Sequence, residues 1–282
     1  MPTGYVKTIV KTFRKISVLE DNISFHPRLR PSHSVSVSHI KIGVLNINRL
    51  RHKIHNLWTE IARHDLMVLC LCKTWLDETV SDGEVAIPGY RLFRRDRKEK
   101  LGDGICIFVH CSLTARQLPI SHENLEMLWI ELSLRKQKIT IGCLYQPPNS
   151  SVQLWSDLED ALEGLEGSEI ILLGDLNVDV LNKSDPNFGH LNSTCSILQL
   201  DILVFTPTRF SKCLDVILTN SPHVTFSNVY PVDFSDHALV FTTLARAKRD
   251  STELTEPQKY TKRCWSPNSV ADFPGLHSFN VP

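Results

Sequence analysis

No stretch of this 282-residue chain stays apolar for long. The longest purely apolar run is Leu66 to Cys72, far short of the ~18 residues a membrane-spanning helix needs. It reads as a buried strand, and no membrane partner is expected. Net charge is missing too, since 31 Lys and Arg balance 31 Asp and Glu. A nucleic-acid domain is often strongly basic, so this balance argues against a general electrostatic grip on DNA. Zinc-type spacing is also absent. The eight cysteines include no Cys-x-x-Cys pair, and most lie inside apolar runs, where a free thiol acts as a small hydrophobe. With no secretory leader in view, the expectation is a reducing, intracellular compartment, nucleus or cytoplasm.

The charge that cancels overall is unevenly placed. Arg91 to Lys100 holds six basic and two acidic residues, whereas Ser151 to Asn182 holds eight acids and no Lys or Arg. Both segments read either as solvated surface or as a basic loop that touches phosphates, set away from an acidic face. The length suits one large α/β domain or two small ones. Residues 1–39 carry six basic and two acidic residues and then a Ser, His, Val and Pro stretch, which reads as a poorly ordered leader. Residues 246–282 are polar, contain four prolines and read as a tail.

Between them, residues 40–245 alternate short apolar runs with amphipathic segments. Strands are expected at Lys41–Leu45, Leu66–Cys72, Tyr90–Phe93, Ile105–Val109, Glu169–Leu173, Cys213–Leu218, Val224–Val229 and Ala238–Leu244. A hairpin is expected from Leu128–Leu134 and Lys138–Tyr145 around Arg135-Lys136-Gln137. Ile54, Leu57, Trp58 and Ile61 have helical spacing, as do Leu154, Leu158, Leu162 and Leu165. Leu191–Leu200 is also expected to be helical. Many strands with few helices suggest two packed sheets flanked by helices.

Several strand ends carry groups suited to phosphate chemistry. Cutting a phosphodiester takes a cation against the growing negative charge, a base to activate water, and polar groups to hold the phosphate in line. Mg²⁺ prefers oxygen ligands, so Asp, Glu and Asn at strand ends with a nearby His are the residues of interest. Ser235-Asp236-His237 stands just before an apolar strand. Gly174-Asp175-Leu176-Asn177 follows one, and Asp175 and Asn177 share a face if the strand continues. Asn46 and Asn48 repeat that spacing after the first strand. Taken singly, each is also an ordinary turn or strand cap.

In order, Asn46-Ile47-Asn48, Lys73-Thr74-Trp75-Leu76, Gly174-Asp175-Leu176-Asn177, Leu214-Asp215 and Ser235-Asp236-His237 resemble the endonuclease/exonuclease/phosphatase superfamily. Ala86-Ile87-Pro88-Gly89-Tyr90 and Tyr145-Gln146-Pro147-Pro148 favour its non-LTR retrotransposon endonuclease branch. The resemblance covers about residues 40–245. It implies a four-layered α/β sandwich of two mixed β-sheets flanked by helices, with the site at one end. It also implies Mg²⁺- or Mn²⁺-dependent nicking of DNA by a monomer. Asp175 would be the water-activating base and Asn177 a phosphate or leaving-group contact. Tyr145 would donate its hydroxyl to the phosphate. His237 would contact the phosphate and metal region, paired with Asp175 or Asp215, and Asp215 would position it. Asn46 and Asp236 would serve the metal. Asn48, Arg94, Arg95 and Arg97 would meet the nucleic acid.

One position breaks the pattern. Where this branch has a metal-binding Glu, the chain has Lys73, whose ammonium has three donors and no acceptor and cannot ligate Mg²⁺ while charged. Glu78 lies beyond the family position. Lys73 could instead bind phosphate as a point charge. Gln146 replaces an Arg that could have touched DNA. Only a short tail follows residue 245, so the chain reads as a fragment of a decayed element or a captured stand-alone domain. The expected function is an endonuclease-type domain with impaired hydrolysis. The alternatives are a catalytically dead nucleic-acid-binding or non-functional remnant and, less favoured, a lipid or inositol phosphatase of the same superfamily.

Overall fold

The structure, a computed structural model, describes residues 39–96, 103–134, 137–148, 150–165 and 167–245. The leader up to residue 38, the tail and Arg97 therefore lie outside the described residues. Among these described residues, two mixed six-stranded sheets form an α/β sandwich with three α-helices. The first sheet contains β1 (His39–Asn46), β2 (Leu66–Cys72), β3 (Tyr90–Arg95), β4 (Ile105–His110), β11 (Val224–Tyr230) and β12 (Leu239–Ala245). Its order is β11-β12-β1-β2-β4-β3. The second contains β5 (Thr114–Leu118), β6 (Glu126–Leu134), β7 (Gln137–Tyr145), β8 (Glu169–Asp175), β9 (Asp201–Ile202) and β10 (Asp215–Thr219). Its order is β5-β6-β7-β8-β10-β9. Each sheet has one parallel pair, β1 with β2 and β7 with β8.

Strand alternation sorts the apolar residues into two cores. Ile42 and Val44 of β1, Val68, Cys70 and Cys72 of β2, and Ile105, Ile107 and Val109 of β4 join the cluster that includes the second sheet. The intervening Leu45, Leu69, Leu71, Cys106 and Phe108 join a second cluster with Leu57 and Ile61 of α1 (Ile54–His64). Trp58, expected on that apolar face, is instead 46% exposed. Leu154, Leu158 and Leu162 of α2 (Gln153–Leu162) are buried as the spacing predicts, while Leu165 falls in a following 3-10 turn. The seven described cysteines are free, and all but Cys111 are buried.

Two strands were not anticipated. β5 has only Ala115 and Leu118 half-buried, with Thr114, Arg116 and Gln117 exposed, and β9 is two residues long; neither has an apolar run to announce it. The third helix, α3 (Pro186–Ile197), starts five residues before the expected Leu191 and stops short of Leu200. Its start was readable, because the Asp185 side chain caps the Asn187 amide with Pro186 in the first turn. No described helix is long and apolar enough to cross a membrane.

Gly174 has a steric role next to the site. It lies opposite Leu144 where β7 and β8 run parallel. An added Cβ would stand 1.8 Å from the Leu144 carbonyl oxygen, so a side chain there would push apart the strands that carry Tyr145 and Asp175. Gly174→Ala is expected to cost about 1–3 kcal/mol, read as a lower urea midpoint. An unchanged midpoint would mean that the two strands are not packed this closely.

Candidate active site

The strand directions gather the candidate groups at one end of the sandwich. Asn46 ends β1, Lys73 follows β2, Tyr145 ends β7 and Asp175 ends β8, all at C-terminal ends of the parallel pairs. Asp215 opens the antiparallel β10, and His237 stands two residues before β12. Across the second sheet Tyr145 is paired with Asp175, and Asp175 with Asp215. Directly paired residues share a face, so these three side chains form one row.

Hydrogen bonds join the row to the first sheet. Asn46 Nδ2 donates to Asp175 Oδ2 at 2.7 Å and lies 3.4 Å from His237 Nε2. His237 Nδ1 is 2.8 Å from Asp215 Oδ2. A carboxylate only accepts, so Nδ1 carries the proton and Nε2 faces Asn46 and Asp175, whose Oδ2 is 3.9 Å away. Asn177, with a left-handed φ of 51°, donates its backbone N–H to Asp175 Oδ1 at 3.0 Å and its amide to the Gln146 carbonyl at 2.7 Å.

Two positioning residues escaped the sequence reading. Thr208 Oγ1 accepts the Leu214 and Asp215 N–H groups, and its carbonyl accepts Ala238 N–H, which ties one loop to both Asp215 and the strand after His237. Ser235 Oγ donates to the Asn46 carbonyl and accepts His237 N–H. Ser235 belongs to the Ser235-Asp236-His237 word, but such contacts across the fold leave no local signal.

The electrostatics follow from burial. Burial and repulsion from Asp215 push the Asp175 carboxyl up to about 7, against the pull of His237, Asn46 and the Asn177 N–H. Burial alone would lower the His237 pKa; the hydrogen bond and charge of Asp215, with Asp175 and Asp236 behind it, outweigh burial and hold it above its ordinary value. Both groups therefore keep a proton in the folded state that the unfolded chain has lost. Asp175 contributes most below its ordinary 3.8 and loses that contribution as pH rises towards about 7. The His237 contribution is complete below 6.5 and is lost through its raised folded value. The protein in EDTA is expected to lose stability between pH 5 and 7 at up to ~1.4 kcal/mol per pH unit. Urea unfolding of Asp175→Asn should show a flatter profile, and an equally steep one would exclude Asp175 as the source.

Other expected site residues stand elsewhere. Asp236 does not join the cluster; its Oδ2 accepts from Arg209 Nε at 2.9 Å and Nη2 at 2.6 Å. This pair holds the Asp236 carboxyl below the usual range, although burial pushes the other way. Arg94 is committed to the Val80 and Asp77 carbonyls and to Asp82 and Asp96. Arg95 donates to the Met127 carbonyl. Asn48 is exposed at the strand end, its carbonyl taken by Lys53 Nζ. Gln146 is buried, and Glu78 is exposed. Lys73 is half-buried with a left-handed φ of 56°, its ammonium 5.9 Å from the centre of the Tyr145 ring.

Asp175, Asp215 and His237 present possible ligand atoms within 4.8 Å of one another. Asn46 Oδ1 and Asp215 Oδ1 are buried without hydrogen-bond partners. Oxygen-rich donors of this kind suit a hard divalent cation. Two groups do not fit such an ion: the Lys73 ammonium beside Tyr145, and the Asp236 carboxylate neutralised by Arg209.

No protein-family model and no curated protein matches the sequence. Solved structures do match the fold. The endonuclease domain of TRAS1, a telomere-specific non-LTR retrotransposon, superposes with a TM-score of 0.61 at 17% identity, over 74% of this chain and 100% of that one. The catalytic domain of human Nocturnin gives 0.56 at 16% identity over 74% and 93% of the two chains. The catalytic domain of Xenopus laevis APE2 gives 0.56 at 16% over 74% and 94%. The α/β sandwich of this chain is therefore the fold that these solved structures share.

Proposed function

We propose that the chain is a retroelement-derived endonuclease-type domain whose ancestral reaction, the nicking of DNA phosphodiesters with Mg²⁺ or Mn²⁺, is impaired by Lys73. The observation that carries this reading is the Asp215–His237–Asn46–Asp175 array at the end of the sandwich. Asp215 accepts the Nδ1 proton and favours the imidazolium, so His237 Nε2–H is the donor offered to a phosphate. Asp175, with a carboxyl titrating near neutrality, suits the base that takes a proton from water. Asn177 orients Asp175 through its backbone N–H, and the Tyr145 hydroxyl serves as a phosphate donor. A divalent ion, where bound, neutralises charge on the phosphate; Lys73 weakens its hold here. Nicking of supercoiled plasmid with Mg²⁺ or Mn²⁺, run beside phosphoinositide hydrolysis, tests the reading. Hydrolysis of phosphoinositide alone would overturn it.

A second reading is a catalytically silent nucleic-acid-binding domain. It is favoured by the cation at position 73 and by the engagement of Asp236 with Arg209. Under either reading we place the protein inside the cell, in nucleus or cytoplasm, as a monomer. We also propose that 40–245 is the folding unit. Limited proteolysis is expected to leave a core of about that extent, and rapid cleavage between 100 and 200 would count against it.

A further inference from the structure

The cations around the site divide into those already engaged and those that are not. Arg94 is held by carbonyls and two carboxylates, Arg209 by Asp236, and Lys53 by the Ile47 and Asn48 carbonyls. Lys73 and Arg49 differ. Among the described residues, neither has a carboxylate within ion-pair distance. Each lies against an aromatic ring instead. The Arg49 guanidinium is 4.1 Å from the centre of the Trp75 ring, and the Lys73 ammonium is 5.9 Å from that of Tyr145. Their backbones are joined by Arg49 N–H donating to the Lys73 carbonyl at 3.0 Å. Both residues take left-handed backbones, with φ of 77° and 56°, just beyond the ends of β1 and β2, where the two segments stay paired through Ile47 N–H to the Cys72 carbonyl and Leu50 N–H to the Thr74 carbonyl.

We propose that Lys73 and Arg49 bind a nucleic-acid phosphodiester directly, so that the site grips the strand through two fixed charges and needs no divalent cation. This rests on the nucleic-acid reading above. A lysine binds phosphate as a point charge, and an arginine offers a planar fork to the same oxygens. The aromatic faces support both cations without using the donors that a phosphate would accept. The charge-neutral composition is consistent with this, because the grip is local.

The test is fluorescence anisotropy of labelled duplex and single-stranded DNA with the full chain, in EDTA and in Mg²⁺. Affinity in EDTA should be within ~2-fold of that in Mg²⁺. Lys73→Gln and Arg49→Gln should each weaken binding by ~5–10-fold and lower the salt slope by about 1. Lys73→Arg should keep the wild-type affinity, and the exposed control Arg116→Gln should change neither quantity. Melting by circular dichroism checks folding; if Lys73→Gln unfolds, Lys73→Arg and Arg49→Gln decide. Binding in Mg²⁺ that vanishes in EDTA overturns the inference and leaves the proposed function standing. An unchanged salt slope in the two Gln variants also overturns it. No DNA binding in either buffer overturns both, as does displacement of DNA by phosphoinositide vesicles at lower phosphate concentration.

Discussion

Lys73→Glu is expected to raise Mg²⁺-dependent nicking by at least ~100-fold. The other groups required by the proposed chemistry are in place: Asn46, Asp175 and His237 hydrogen-bond or lie within reach of one another, and Tyr145 and Asp215 flank Asp175 in the sheet. The substitution adds a carboxylate where a hard cation needs one and removes an ammonium that repels it. At ~4 Å and an effective dielectric near 20, each unit charge is worth about 4 kcal/mol. A gain of even ~3 kcal/mol in transition-state stabilisation is roughly two orders of magnitude in rate. The measurement is the rate of supercoiled-to-open-circle conversion against Mg²⁺ concentration. Wild type cutting as fast as the variant would show that residue 73 does not face the metal. Two folded but inert proteins would point to a second lesion, with Gln146 the first position to restore to Arg.

In that Lys73→Glu background, Asp215→Asn is expected to lower nicking by ~10³–10⁴-fold. Asp215 acts through His237. Its carboxylate accepts the Nδ1 proton at 2.8 Å and favours the imidazolium, whose Nε2–H can donate to the phosphate. An amide of the same size carries no charge to support that imidazolium, and losing the carboxylate costs about this factor where an Asp orients a catalytic His. A purely structural role would leave the pH profile in place. A positioning role moves it, because the Asp215 charge is the second cause, after burial, of the raised Asp175 pKa. The acid limb of the nicking profile should therefore shift to lower pH in the variant. Full activity with an unmoved limb would exclude Asp215 as the partner that orients His237.

The fold was legible because its signals are local. Apolar runs bounded by Gly, Asn and Asp marked most strands, but the division of Val68, Cys70 and Cys72 from Leu69 and Leu71 between two cores came only with the fold, because every residue of that run is apolar. The short edge strands β5 and β9 were not legible, since an edge strand need bury little. The site divides the same way. Asn46, Asp175, Asp215 and His237 could be named from their words, and the choice between Asp175 and Asp215 as partner of His237 Nδ1 came only with the fold. Arg94 shows the opposite failure. A dense basic run reads as phosphate-binding, but this guanidinium is consumed by the loop beneath it. Arg49 carries no motif at all and draws attention only through its stack on Trp75 and its lack of a carboxylate partner among the described residues.

The joining of Asn46 to residues 129 and 191 positions away also bears on how the chain acquires its site. Half of the array belongs to each sheet. Closing contacts of such long sequence separation is slow, because the loop entropy is lost before the contacts reward it. Either sheet can gain its strands and most of its hydrogen bonds while the array is still in two pieces. On refolding, the far-ultraviolet signal would therefore recover before phosphate binding does, and a chain arrested with undocked sheets would look structured while having no site.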